Sequence, residues 1–237
     1  MPRRPRIQLD GVPLHILQRG HDRDNCFVAE GDYHAYLQCL QHALADTQCT
    51  LHAYALMDNH VHLLLTPRRA ESVPRMIISL GRRYGQYVRQ AHGRGGPLWD
   101  SRYKSSLTQA ESYLLACQRY IERNAVRAGG ADDPVHFPWS SYAANALGQA
   151  DELLTPHGVY LDLGETPRQR QAAYRALFRK ELDQATVEAL GLALEQNQPL
   201  GDARFLNRVA KVVGERREAR PRGRPRLTPA DADTGRK

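Results

Sequence analysis

No run of eighteen apolar residues occurs in this 237-residue sequence, so it offers no candidate for a membrane-spanning helix. The opening Met1-Pro-Arg-Arg-Pro-Arg6 leads into no apolar signal-peptide core, and the expected location is the cytoplasm. Cysteine is scarce and unpaired in sequence. Cys26, Cys39, Cys49 and Cys117 form no Cys-x-x-Cys motif, which excludes a zinc knuckle or a disulfide framework and leaves reduced thiols, partly buried. No P-loop, dinucleotide-binding glycine pattern or internal repeat is present. Acidic residues are the minority. The 26 Asp and Glu stand against 33 Lys and Arg, giving a formal charge of +7 and a pI near 9.4, which favours a polyanionic partner.

What remains is the composition of a globular protein, 41% hydrophobic and 25% charged, long enough to bury a proper core. The basic excess is uneven, because residues 211–237 hold nine Lys or Arg against four Asp or Glu. A first strand is expected over Val12–Arg19, then turn chemistry at Gly20–Asn25. A helix follows from Asp32, an N-cap type, to Ala45, with Tyr36, Leu37, Leu40 and Leu44 on one face. Leu51–Met57 and His60–Leu65 read as a hairpin about the Asp58-Asn59 turn. Val73, Met76, Ile77, Leu80, Tyr84, Tyr87 and Val88 recur at helical spacing, with Arg75, Arg82, Arg83 and Arg89 on the other side. Such a row is either a solvated face or a phosphate-binding one. A strand over Arg102–Leu107 and a helix from Gln109 to Arg127, ending near Gly129-Gly130, come next. Three further helices are expected at Pro167–Leu182, Ala185–Glu195 and Asp202–Val213, and Arg216–Arg226 is expected to be disordered without a partner.

The chain is organised around Tyr54-Ala-Leu-Met-Asp-Asn-His60-Val-His62-Leu-Leu-Leu65. Side chains alternate along a strand, so His60 and His62 project from one face, roughly 6–7 Å apart, while Val61 and Leu63 point into a core. Two imidazoles side by side on a rigid element suit one metal ion, though a half-buried strand can carry two histidines without any such role. In the helix from Gln109, Tyr113, Tyr120 and Asn124 share an edge beside the Leu114, Cys117 and Ile121 stripe. Tyrosines bordering a core are common, and a Tyr-x-x-x-Asn pattern alone is weak.

The joint pattern is stronger. A strand-borne His-hydrophobic-His followed by a helix carrying Tyr-Ile-x-x-Asn resembles the single-tyrosine HUH endonucleases and, more closely, the REP-associated tyrosine transposases. The resemblance is carried by Met57-Asp-Asn-His-Val-His62, Leu98-Trp-Asp-Ser-Arg-Tyr-Lys104, Arg119-Tyr-Ile-Glu-Arg-Asn124, Val126-Arg-Ala-Gly129, Pro138-Trp-Ser-Ser-Tyr142 and Arg222-Gly-Arg-Pro-Arg226. Two departures stand out. Ala125 occupies a position where that family usually has proline, and Gly130-Ala131 replace an apolar pair.

The resemblance implies an α+β fold: an antiparallel sheet with packed helices in a ferredoxin- or RRM-like HUH nuclease core, plus a C-terminal helical appendage. The expected divisions are a basic N-terminal arm (1–11), the HUH domain (12–142), a helical C-terminal region (143–214) and a basic DNA-binding tail (215–237). It implies metal-dependent cleavage and strand transfer on single-stranded, hairpin-forming repeat DNA through a 5′-phosphotyrosyl intermediate. Tyr120 is then the nucleophile, because it alone has the Ile-x-x-Asn continuation that its rival Tyr113 lacks. His60, His62 and Asn124 are the metal ligands, with Mg²⁺ or Mn²⁺ as the cofactor and Zn²⁺ open on ligand type. Arg3, Arg4, Arg6, Arg102, Arg220, Arg222, Arg224 and Arg226 are candidate DNA contacts, with Trp99 and Tyr103 further candidates. The Arg220–Arg226 tail resembles an AT-hook, or is a nonspecific phosphate binder. Two other readings remain open: a repeat-DNA binding protein that does not cleave, and a metal phosphoesterase using water. Monomer and homodimer, with a site completed in cis or by a partner, are both compatible with the sequence.

Overall fold

A computed structural model describes residues 6–100 and 102–214. In chain order the elements are β1 (Leu14–Arg19), α1 (Glu30–Thr47), β2 (Cys49–Met57), β3 (His60–Pro67), α2 (Ser72–His92), β4 (Lys104–Leu107) and α3 (Ala110–Glu122). They continue with α4 (Asn124–Arg127), α5 (Tyr142–Leu147), α6 (Gly158–Leu161), α7 (Pro167–Phe178), α8 (Gln184–Gln196) and α9 (Ala203–Val213). No helix among the described residues is long and apolar enough to cross a membrane.

The sheet is antiparallel throughout, in the order β2-β3-β1-β4. With α1 between β1 and β2 and α2 between β3 and β4, this is the ferredoxin-like βαββαβ arrangement. Period-two alternation sorts the two faces. Leu14 and Ile16, Leu51, Tyr54 and Leu56, and Val61, Leu63 and Leu65 face α1 and α2 in the larger core, which Phe205 and Val209 of α9 also enter. The opposite face carries Ala53, Ala55 and Leu64 under Leu114, Cys117 and Ile121 of α3 and Leu190 of α8. A smaller cluster of Tyr142, Ala146, Tyr160 and Tyr174 ties α5, α6 and α7 together.

Both sheet edges are covered, which removes two templates for strand addition. Along β2 the Trp139–Ser141 segment pairs in: Leu56 N–H donates to Trp139 O, Ser141 N–H donates to Tyr54 O, and Ala55 bridges Ser140. Along β4, Ser105 N–H donates to Asn197 Oδ1 and Leu200 N–H to Leu107 O.

Several expected boundaries shift for identifiable reasons. Asp32 lies in the first turn of α1, not at its N-cap; its carboxylate reaches back to accept the Val28 and Ala29 N–H groups. The helix expected to run unbroken from Gln109 to Arg127 is interrupted at Arg123, whose φ of −87° and ψ of 4° separate α3 from the single turn α4. The residues 215–237, including the expected disordered segment and the AT-hook-like Arg220–Arg226, lie outside the described residues, as do residues 1–5.

Candidate active site

The site sits on the sheet face covered by α3 and α8. His60 and His62 alternate with Val61 on β3, and their rings are 5.2 Å apart between centroids at 83°. His62 is 3% exposed, whereas His60, at the strand's start, is half-buried. Across the sheet, β1 presents Arg19 opposite His60 and Leu17 opposite His62, and places His15 one step further along the same face. On the other side Ala55 stands opposite His62. Its single methyl, with that of Ala53, leaves room for α3 to lie close against the sheet.

Two features fix where α3 lies. The β2–β3 register slips at His52, a bulge whose carbonyl accepts from Gln118 Nε2 of α3 at 3.3 Å and Asn145 Nδ2 of α5 at 3.1 Å. Glu122, fully buried two residues beyond Tyr120, accepts hydrogen bonds from Ser141 Oγ at 2.6 Å, Asn145 Nδ2 at 2.8 Å and Tyr174 Oη at 2.7 Å. Burial pushes its carboxyl up to about 7, against the opposing pull of those donors. So anchored, α3 presents the Tyr120 ring edge-on to His15 at 5.8 Å and to His62 at 6.1 Å. Tyr120 is 8% exposed, and Gly191 of α8 lies over its hydroxyl: a Cβ there would stand 3.8 Å away. One turn on, the buried Asn124 side chain lies beside His60, close enough to pull its pKa upward. Tyr113 is two turns back along α3, about 10 Å by helix rise, and only half-buried.

The structure therefore brings His60, His62, Tyr120 and Asn124 together within one chain and leaves Tyr113 out. It adds two residues whose part in the site spacing alone does not indicate. The Arg127 guanidinium lies 3.9 Å over the Tyr120 ring. The fully buried His15 shares a 2.9 Å hydrogen bond, Nε2 to Nδ1, with His62. Alternation along β1 puts His15 on the same face as Leu17 and Arg19, a signal readable in the sequence; Arg127 lies in the Val126-Arg-Ala-Gly129 stretch, and only the turn of α4 reveals its target.

Burial holds all three histidines toward the neutral form. His15 is lowered to about 3, chiefly by burial with help from the Arg127 charge. His62 falls well below the ordinary histidine value, by burial and then by its neighbours His15, His60, Arg127 and Arg19. His60 is lowered by burial, against the upward pull of the neighbouring Asn124 side chain. Neutral imidazoles are the ligand form for a metal. Among the described residues no three His, Cys, Asp or Glu side chains are grouped to hold a metal. The buried Asn124 amide beside His60 could supply a further oxygen donor, and two imidazoles with one amide oxygen would fit a divalent ion with coordination positions to spare.

The arginines expected to touch DNA divide. Arg6 is engaged: its guanidinium stacks 3.8 Å over the Tyr103 ring and its Nε–H donates to Tyr103 O at 2.8 Å. Arg102 is exposed. Arg3, Arg4, Arg220, Arg222, Arg224 and Arg226 lie outside the described residues. Trp99 packs against Tyr36 and Tyr84, each at 6.1 Å, as an anchor of the larger core. Arg75, Arg82, Arg83 and Arg89 are exposed on α2, on the far side of the sheet from the histidines.

Residues 9–124 match the family model of IS200-like transposases. Among solved structures the chain is similar to a REP-associated tyrosine transposase bound to a REP hairpin, with 14% identity, 67% of this chain and 93% of that chain covered, and a TM-score of 0.54. At that identity the likeness is one of fold. A candidate transposase from Deinococcus radiodurans is 24% identical over 52% of this chain and 97% of its own, with a TM-score of 0.36, too low to carry an argument. No curated protein matches the chain.

Proposed function

We propose, from the match of residues 9–124 to the family model of IS200-like transposases, that the protein is a metal-dependent single-strand DNA endonuclease and strand transferase with Tyr120 as its nucleophile. The observation that carries the reading is the meeting, on one sheet face, of the Tyr120 ring with His62 at 6.1 Å, with the buried Asn124 side chain, one turn on, beside His60.

His60, His62 and Asn124 would hold Mg²⁺ or Mn²⁺, which when bound supplies charge stabilisation at a phosphate. The chain's own residues do the rest. Tyr120 Oη attacks phosphorus, so its O–P bond forms as the P–O3′ bond breaks. The phenolic hydrogen departs as a proton, and the 3′ oxygen ends as a hydroxyl. The 5′-phosphotyrosyl linkage replaces one phosphate ester with another, so a 3′-hydroxyl can reverse the step and join strands without ATP. Arg127, held against the Tyr120 ring, sets a fixed positive charge beside the place where the phosphate oxygens carry theirs.

Hairpin DNA is the proposed substrate. The similar solved structure holds a REP hairpin, and the charge of +7 favours a polyanion. The exposed Arg102 and the arginines at both ends of the chain are the proposed backbone contacts.

The test is incubation with labelled hairpin oligonucleotides and Mn²⁺, followed by a denaturing protein gel. A covalent DNA–protein band is expected that disappears in Tyr120→Phe and persists in Tyr113→Phe. Cleavage with no covalent band would make water the nucleophile, and tight binding without cleavage across a panel of hairpins would leave a binding protein.

A further inference from the structure

We propose that His15 is a positioning residue for the metal site: its Nε2 accepts the Nδ1 hydrogen of His62 and so holds the His62 ring with Nε2 free to bind a divalent ion. The inference rests on the metal-site reading above and adds a residue to it.

The geometry comes from the sheet. His15 and His62 lie on adjacent antiparallel strands as diagonal neighbours on one face, since His15 is opposite Leu64 and Leu17 opposite His62. Their nitrogens stand 2.9 Å apart, with the rings 5.1 Å apart at 32°. The Tyr120 ring, edge-on to both, closes the remaining side.

Two neutral imidazole nitrogens in hydrogen-bond contact share one hydrogen, so one must donate and the other accept. If His15 donates, His62 carries its own hydrogen on Nε2 and points an N–H bond at the site, which cannot bind a cation. If His62 donates, its Nε2 lone pair is free. His60 is arranged in the second way: its Nδ1 lies 2.7 Å from Asn59 Oδ1, an oxygen that only accepts, so the His60 hydrogen is on Nδ1 and the lone pair is on Nε2. His15 does for His62 what Asn59 does for His60, and the two ligands present the same nitrogen. A ligating histidine oriented through its other nitrogen is the usual device for fixing tautomer and ring direction.

A second observation bears on the same point. With Nε2 accepting, His15 carries its hydrogen on Nδ1, and that atom is buried with no hydrogen-bond partner among the described residues. A side chain present only to fill the core would be better as leucine, which buries no polar atom. The unmatched Nδ1 is explained if the other nitrogen has a task.

The test is Mn²⁺ binding to the full chain without DNA, by calorimetry, in the parent and in His60→Ala, His15→Leu and His15→Gln, with unfolding midpoints recorded alongside. Glutamine can place an amide oxygen near the lost Nε2. His15→Leu is expected to weaken Mn²⁺ binding about 10–100-fold, as removal of such an orienting partner does elsewhere, and His15→Gln to recover most of it. Unchanged Mn²⁺ affinity in a folded His15→Leu, or equal losses in the leucine and glutamine variants, would overturn the proposal. A parent that binds no Mn²⁺, or binds it as well with His60→Ala, would instead sink the metal-site reading beneath it. Should His15→Leu not fold, the tautomer in the metal-free parent decides: long-range ¹H–¹⁵N correlation is expected to show His62 protonated on Nδ1, and protonation on Nε2 overturns the inference.

Discussion

At the scale of single residues, the site works through contacts that sequence spacing does not describe. Arg127 follows Tyr120 by seven positions, two helical turns, yet α3 breaks at Arg123 and the separate turn α4 is what returns the guanidinium over the ring. Arg127 itself is exposed, and a cation–π contact made by an exposed cation contributes about 1 kcal/mol or less to stability. A charge aimed at a phosphate in the transition state is worth far more to rate, with single donors of that kind worth on the order of 100-fold or above. Arg127→Ala should therefore slow covalent adduct formation at least about tenfold while barely moving the unfolding midpoint, and Arg127→Lys should recover part of the rate. Equal adduct rates in parent and Arg127→Ala would show that the guanidinium has no part in the chemistry.

At the scale of elements, the site is a matter of how closely α3 lies on the sheet. Ala55 is fully buried opposite His62, within the cluster that α3 covers. Ala55→Leu would insert three carbons there, and overpacking of this kind costs roughly 1–3 kcal/mol. Because α3 also carries Tyr120, the strain should appear as a loss of adduct formation larger than the unfolded fraction explains, measured on protein shown folded by urea titration at the same temperature. A destabilised Ala55→Leu with full adduct formation would mean that α3 position and chemistry are uncoupled. The strands and the long helices were legible in the sequence because each has a single period: alternation in β3, and the 3.6-residue stripe of Val73, Met76, Leu80 and Tyr84 in α2. So was the meeting of His60 and His62. The break at Arg123, the bulge at His52 and the short helices α5 and α6 were not, because they are set by partners far away in the chain. His52 O is turned toward Gln118 and Asn145, and the segment around Trp139 pairs with the edge of β2. Such tertiary hydrogen bonds leave no period behind. His15 fell between the two cases: its face was readable, but its bond to His62 depends on strand order, which the sequence left open.

For the molecule as a whole, buried titratable groups set opposing demands on pH. His15 and His52 are held to about 3 and about 4 by burial, with His52 bonded through its ring nitrogens to Thr155 O and Thr66 Oγ1. In the unfolded chain both titrate near 6.5. Below that pH the unfolded chain binds protons that the folded one refuses, so their contribution is complete above about pH 6.5 and is lost as pH falls toward 4. Glu122 acts in the other direction. Its folded value of about 7 lies above the ordinary carboxylic value of 4.5, so the folded protein holds the extra proton, and this contribution is full below pH 4.5 and lost as pH rises through 7. Each tenfold displacement of a proton equilibrium corresponds to about 1.4 kcal/mol, so two histidines displaced further than one carboxyl should prevail. The urea midpoint of the parent should rise between pH 5 and 6.5 and then level or decline slightly toward pH 8. Glu122→Gln keeps the shape and can still accept from Ser141 and Asn145 while removing the opposing charge. Its midpoint should climb more steeply between pH 5 and 7 and stay level to pH 8. Parallel profiles for the two proteins would mean that Glu122 does not titrate between its folded and unfolded values as described, and a parent profile flat from pH 5 to 6.5 would remove the histidine contribution.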